Sequence, residues 1–256
     1  MELKGFITKI FEFTRRNGLD QLRVLEDLLD YIIGYLSPVP LANKSWNYTA
    51  EQNEVFYSLM YDYFGLCLEG MGKNGWYDAW GDLFMELKGN SAGYRNQFFT
   101  PPCLADLGRK MAGEVEDSFC KGFGFRPKIG DPTCGSARML LAIHAEHVNS
   151  KKKLPYLIGE DIDFICCKMS AVNLAVHGCY GEIICHDSLH APKSLNVGYI
   201  INEGLYPSKS GLPTIRTTTD KSRFVFDFSE PKEEVQEAVA AAVISESEGE
   251  QLTLFD

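Results

Sequence analysis

Hydrophobic residues in the first ninety positions recur at helical spacing. Leu3, Phe6, Ile7, Ile10 and Phe11 fall three or four apart and share one helix face. Asp20 is placed as the N-cap of a second helix carrying Leu22, Leu25, Leu28, Leu29, Ile32 and Ile33. The segment Ser37-Pro38-Val39-Pro40 ends it, because proline disfavours helical geometry in the residue before it. Thr49-Ala50-Glu51-Gln52 reads as a capping box, in which the threonine side chain accepts from an orphan amide while Gln52 reaches back. A long aromatic-rich helix follows to about Gly70, and a shorter one spans Trp76–Leu87. Aromatic stripes at this spacing are ordinarily core, so Phe56, Tyr57, Tyr61 and Tyr63 receive no function.

After about residue 125 the rhythm changes. Short apolar segments at Pro127–Gly130, Tyr156–Gly159, Glu182–Cys185 and Val197–Ile201 alternate with helical ones at Ser136–Asn149 and Asp163–His177. Such alternation predicts an α/β fold with a parallel sheet covered by helices. Thr214–Thr219 and Arg223–Phe228 are placed as an antiparallel hairpin closing that sheet. The expected organisation is a helical domain over 1–90, an α/β domain over 91–229 and an acidic, disordered tail over 230–256.

Composition narrows the partners. Of 256 residues, 45% are hydrophobic and 23% charged, the balance of a globular chain. The formal charge of -10 argues against a general DNA-coating protein, which neutralises phosphates with clustered Lys and Arg. Residues 230–256 hold eight acids and one lysine, so most of that charge lies in the tail and the body is left nearly balanced. No secretory signal opens the chain and no run approaches the ~18 apolar residues of a membrane helix, so a cytoplasmic location is expected. The eight cysteines form no C-x-x-C pair and read as reduced, mostly buried thiols. His177, Cys179, Cys185 and His186 are better explained by strand and helix packing than by a metal site, so no metal is expected.

The sharpest chemistry lies in Ile129-Gly130-Asp131-Pro132-Thr133-Cys134-Gly135-Ser136-Ala137, a strand running through a small-residue turn into a helix. Small side chains let backbone amides approach a ligand, and the amino end of the new helix favours a negative group. The second strand ends in Gly159-Glu160-Asp161-Ile162-Asp163, where an acid is placed to accept from a ribose diol, and the third in His186-Asp187-Ser188-Leu189. Each acid alone is accounted for by a helix cap or a solvated loop. Three at successive strand ends predict a nucleoside-type ligand, because ligands bind outside the carboxyl ends of such strands.

With these segments the chain resembles the adenine-N6 DNA methyltransferases, particularly the modification subunits of type I restriction systems. The matching stretches are Gln97-Phe98-Phe99-Thr100-Pro101, Asp131–Ser136, Gly159–Asp163, Asn173-Leu174-Ala175-Val176-His177-Gly178 and Asp187-Ser188-Leu189. The resemblance implies a Rossmann-like, S-adenosylmethionine-dependent methyltransferase sheet with an N-terminal helical domain. It implies that Phe99, Thr100 and Pro101 line the methionine end and that Asp131, Thr133, Cys134, Gly135 and Ser136 cradle the amino acid. Asp161 with Ile162 would then hold the ribose, and Asp187 with Ser188 the adenine. Ala137 departs from the glycine more usual in the family.

A larger departure concerns the catalytic motif, Asn or Asp followed by Pro-Pro and an aromatic after the fourth strand. Its polar groups accept from the target amine, and its aromatic stacks on a base flipped from the duplex. Here the strand leads to Asn202-Glu203-Gly204-Leu205-Tyr206-Pro207, so Asn202 holds the expected position and Tyr206 is the candidate stacking group. The resemblance implies DNA as substrate and, since no target-recognition module is visible, a specificity or other restriction-modification subunit as partner. Gln251-Leu252-Thr253-Leu254-Phe255 resembles the peptides that grip the replicative sliding clamp, which makes the clamp a further candidate partner. The missing prolines favour an alternative: a non-catalytic, S-adenosylmethionine-binding accessory brought to DNA by its tail. Methylation of RNA or a protein glutamine fits less well, since those families also rely on the missing motif.

Overall fold

The computed structural model describes residues 2–39, 48–89, 100–108, 110, 127–189, 195–203 and 212–228. Four helices open it: α1 (Leu3–Asn17), α2 (Gln21–Tyr35), α3 (Ala50–Asn74) and α4 (Ala79–Gly89). Asp20 caps α2 by accepting from the Arg23 amide at 2.9 Å. Thr49 and Gln52 form the reciprocal capping box of α3, at 3.2 and 2.8 Å. That helix runs beyond Gly70 to Asn74, where Gly75 at φ 81° stops it. Of its aromatics, Phe56 and Tyr63 are buried as expected. Tyr57 and Tyr61 are instead 42% and 48% exposed, with Tyr61 in hydrogen-bond reach of Tyr35 at the end of α2.

A short helix, α5 (102–108), precedes the sheet, and α6 (Arg138–Asn149) and α7 (Phe164–Val176) alternate with its first strands. The strands are β1 (Lys128–Asp131), β2 (Tyr156–Asp161), β3 (Tyr180–Cys185), β4 (Val197–Ile201) and β5 (Ile215–Thr218), hydrogen-bonded in that order. β1, β2 and β3 are parallel, as the alternating pattern predicts. The parallel run stops there: β4 is antiparallel to β3, with Ile201 opposite Gly181, and β5 is antiparallel to β4. The reason is the connection. Only eleven residues separate Cys185 from Val197, whereas a parallel crossover takes a dozen or more and usually a helix. The chain returns alongside β3 instead.

Residues 214–219 supply β5, but 223–228 form no second hairpin strand. A single 3₁₀ turn at Lys221–Arg223 leads into a strap across one face of the sheet. The buried Glu182 carboxylate holds this strap by accepting from the amides of Val225 (2.8 Å) and Phe226 (2.5 Å), and it also accepts from Tyr156 Oη at 2.7 Å.

α7 covers the other face, against β2, β3 and β4, and α2 packs behind it. Every residue of α7 from Cys166 to Ala175 is buried, which explains a sequence apolar on all sides. The one charge among them, Lys168, reaches Glu26 at 2.7 Å and Asp30 at 2.9 Å on α2. One continuous apolar cluster therefore runs from Phe6 through Trp80 and Leu141 to Ile215, joining the N-terminal helices to the sheet.

Candidate functional site

The parallel register brings three strand ends to one edge: Asp131 lies opposite Gly159, and Asp161 opposite Cys185, two residues before Asp187. Backbone hydrogen bonds knit the segments beyond them. The Cys134 amide donates to the Glu160 carbonyl at 2.9 Å, joining the first turn to β2. The His186 amide donates to the Asp161 carbonyl at 3.0 Å, joining the end of β3 to β2. Asp131, Asp161 and Asp187 thus share one edge.

Asp161 is the hub. One carboxylate oxygen accepts from the Gly135 amide and the other from the Asp163 amide, both at 2.9 Å. A carboxylate has about four lone-pair sites, so further acceptor capacity remains for a diol. Burial raises its pKa above the usual carboxylate range, and Asp131 is raised for the same reason, with the Glu160 charge adding to the effect. Both oppose holding charge without a donor or a cation nearby. Asp131 also organises its own turn by accepting from the Thr133 amide at 3.1 Å.

The turn itself is tight. Gly135 and Ala137 both adopt left-handed φ, 56° and 67°, which glycine tolerates freely and alanine at some cost. Ala137 caps α6 without a side-chain bond, leaving the helix's first amides to the turn. The side chains of this segment divide in two. Asp131 stays half-buried and Thr133 exposed. Cys134 and Ser136 point inward: Cys134 Sγ lies 3.4 Å from Ser170 Oγ, and Ser136 Oγ donates to Asp78 at 2.5 Å. Burial pushes the Cys134 thiol well up, so it packs as a neutral group. The contribution of Cys134, Gly135 and Ser136 at this edge is therefore made by backbone.

The other expected residues are distributed as follows. Thr100 sits beside the turn, its carbonyl accepting from Arg138 Nη1 at 3.1 Å, and the Pro101 carbonyl begins α5 by accepting from Leu104 and Ala105. Ile162 is 62% exposed at the tip of β2, an apolar group free to lie against a flat ring. Asp187 accepts from the Leu189 amide at 3.0 Å, and both it and Ser188 are half-buried. Phe99 and Tyr206 lie outside the described residues, as does the Gln251–Phe255 segment.

Asn202 is not brought to this edge, and its expected catalytic role is corrected. Because β4 runs antiparallel to β3, its end meets the beginning of β3, across the sheet from Asp187. There the side chain is 1% exposed and fully engaged. Its amide donates to the carbonyls of Ala175 (3.2 Å) and Cys179 (2.8 Å), and its oxygen accepts from the Thr214 amide at 2.8 Å. A left-handed φ of 56° at this residue suits asparagine better than most side chains. Asn202 ties α7, β3 and β5 together.

The pattern reading missed Asp78 and Arg138, which hold the turn from behind. A long-range contact leaves no periodic trace, but an arginine in the first turn of the mainly apolar α6 signals an internal partner.

The family model for N-6 DNA methylases matches residues 77–246, about two thirds of the chain, and the chain belongs to that family. Among curated proteins none matches. One similar solved structure is a putative class I S-adenosylmethionine-dependent methyltransferase from Listeria monocytogenes. The two are 18% identical with a TM-score of 0.42, over 76% of this chain and 60% of that one. Another is the methyltransferase subunit of a type I restriction-modification system from Streptococcus thermophilus. It is 17% identical with a TM-score of 0.35, over 68% of this chain and 37% of that one. The chain thus spans less than two thirds of either.

S-adenosylmethionine is the cofactor of this family, and the residues at the β1–β3 edge fit it. The half-buried Asp161 carboxylate with spare acceptor sites suits a cationic ligand bearing a diol, and the amino end of α6, which has no side-chain cap, suits its carboxylate. No helix among the described residues is long and apolar enough to cross a membrane.

Proposed function

We propose that the chain is an S-adenosylmethionine-dependent methyltransferase acting on adenine N6 in DNA. The observation that supports it is the convergence of Asp131, Asp161 and Asp187 on one edge, beside a turn whose amides open a helix. In this reading Asp161 accepts from the ribose hydroxyls and Asp187 from the adenine amino group. Asp131 and the backbone of 133–136 receive the amino-acid end, flanked by Thr100 and Pro101. When bound, the cofactor supplies a methyl group activated by a sulfonium, and the chain supplies orientation and electrostatics. Asn202 takes no part at the reacting amine. DNA is the substrate, and a restriction-modification subunit supplies sequence recognition.

One observation favours a second reading, that of a non-catalytic, cofactor-binding accessory on DNA: the expected amine-binding Asn202 is a buried tie at the far edge. Two measurements separate the readings. Calorimetry with S-adenosylhomocysteine should show binding that Asp161→Ala abolishes; a wild-type chain with no affinity at millimolar ligand removes both readings. Incubation with labelled cofactor and DNA, with and without a specificity subunit, should label adenine in the wild type but not in Asp161→Ala. Binding without transfer under every condition selects the accessory.

A further inference from the structure

The turn between β1 and α6 is gripped from two sides. On the strand side, the amides of Cys134 and Gly135 hold it to β2. On the other side the grip comes from the N-terminal helices and converges on one carboxylate. Asp78, directly before α4 and 2% exposed, accepts from Ser136 Oγ at 2.5 Å and from Arg138 Nε at 2.8 Å. Its other oxygen accepts from Asn173 Nδ2 and from the Gly81 amide, both at 2.8 Å. Asn173 donates in addition to the Ser136 carbonyl at 2.8 Å, and is itself held by Tyr63 Oη of α3 at 2.8 Å. Arg138 carries the network outward to Asp82 at 2.6 Å and to the Thr100 carbonyl at 3.1 Å. A Cβ on Gly81 would collide with the Asp78 carboxylate and the Ser136 hydroxyl, so the glycine makes room for the cluster.

Burial gives this arrangement its leverage. Ser136, Arg138 and Asn173 are 1%, 6% and 0% exposed, so donors deprived of Asp78 have no water to turn to. Asp78 lies 58 residues from Ser136 in sequence, on a different module, and reaches only the α6 end of the turn. Asp161, at the nucleoside end, is held by the Gly135 amide of the turn and independently by the Asp163 amide beyond β2. The nucleoside end therefore has one support, the Asp163 amide, that the Asp78 network does not reach.

We propose that Asp78 is a positioning residue for the amino-acid end of the cofactor site, through which α3 and α4 set affinity for the aminoacyl part of the ligand while leaving its nucleoside part to the sheet. The inference rests on the cofactor reading above and deepens it.

The test compares two probes, S-adenosylhomocysteine and methylthioadenosine, which shares the nucleoside but lacks the amino acid. In Asp78→Asn an amide NH₂ must face one of the two donor pairs, Ser136 with Arg138 or Asn173 with the Gly81 amide, and either way a tie to the turn is broken. Binding of S-adenosylhomocysteine should weaken roughly tenfold, while that of methylthioadenosine stays within about threefold. Ser136→Ala, which deletes one tie and costs less stability, should move the same ratio the same way and serves if Asp78→Asn fails to fold. Phe56→Leu, which loosens the helical core away from the network, should lower the melting temperature and leave the ratio alone. Equal weakening of both probes in Asp78→Asn and Ser136→Ala, or none, overturns the inference while leaving the cofactor reading intact. A wild-type chain that binds neither probe overturns both.

Discussion

β1, β2 and β3 deliver Asp131, Asp161 and Asp187 to one edge of the sheet, whereas β4 delivers Asn202 to the opposite edge. All four residues are polar and follow a short apolar strand, so local composition does not distinguish them. Their surroundings do. The three acids keep partial exposure, and burial raises the pKa of Asp131 and Asp161. Asn202 is sealed off with both ends of its amide engaged. A polar group at the end of a strand comes to a half-exposed edge or becomes an internal tie according to which way the strand runs.

The largest expected effect comes from breaking that contrast at its internal end. Asn202→Ala leaves the Thr214 amide and the Cys179 carbonyl without their Asn202 partner and the Ala175 carbonyl with the Gly178 amide alone, and should cost about 3 kcal/mol of folding stability. Denaturant unfolding measures the loss, and S-adenosylhomocysteine affinity measured on the folded fraction should be unchanged. Intact stability with lost cofactor binding would return Asn202 to the site and reverse the comparison.

How much of this was legible depends on the range of the interaction. The Asp20 cap, the Thr49–Gln52 box and the parallel β1–β3 run are set by residues within a few positions of one another, or by one repeated rhythm, and the pattern shows them. The direction of β4 was legible only by counting. Its apolar run looks like the others, and the eleven-residue connection is what forbids a helical crossover. The inward turn of Ser136 was not legible, because its acceptor sits 58 positions earlier in another element. Tyr57 and Tyr61 show the converse limit: helical spacing assigns them to the same element as Phe56 and Tyr63, but the face is decided by what α3 packs against.

A smaller effect is expected on the face of the sheet opposite α7. Glu182→Gln keeps the shape of the side chain but places an NH₂ among donors, since Tyr156 Oη and the amides of Val225 and Phe226 all donate to the carboxylate. A loss of about 2 kcal/mol is expected, together with faster amide exchange at Val225 and Phe226 as the strap loosens. The edge carrying Asp161 should keep its ligand affinity. If affinity falls with strap release, the two halves of the sheet are coupled and the contrast between them is too sharply drawn.

The smallest effect is a pH dependence that only the ligand-facing edge should show. Burial raises the pKa of Asp161 and of Asp131 above that of the unfolded chain. Between the two values the folded state holds more protons, so these groups make stability fall as pH rises through that window. Ligand binding runs the other way. If, as proposed, ribose hydroxyls donate to Asp161, they favour its ionised form, and affinity for S-adenosylhomocysteine should climb as pH rises through the raised carboxyl range and level off near neutrality. Titration calorimetry from about pH 4 to pH 7 should show this rise, several-fold in size, with Asp161→Asn flattening much of it and Asn202→Ala leaving it intact. Affinity that falls as pH rises would mean that the edge binds its ligand through protonated acids. The carboxylates would then act as donors, and the division between a charged, ligand-facing edge and a neutral, internal one would have to be redrawn.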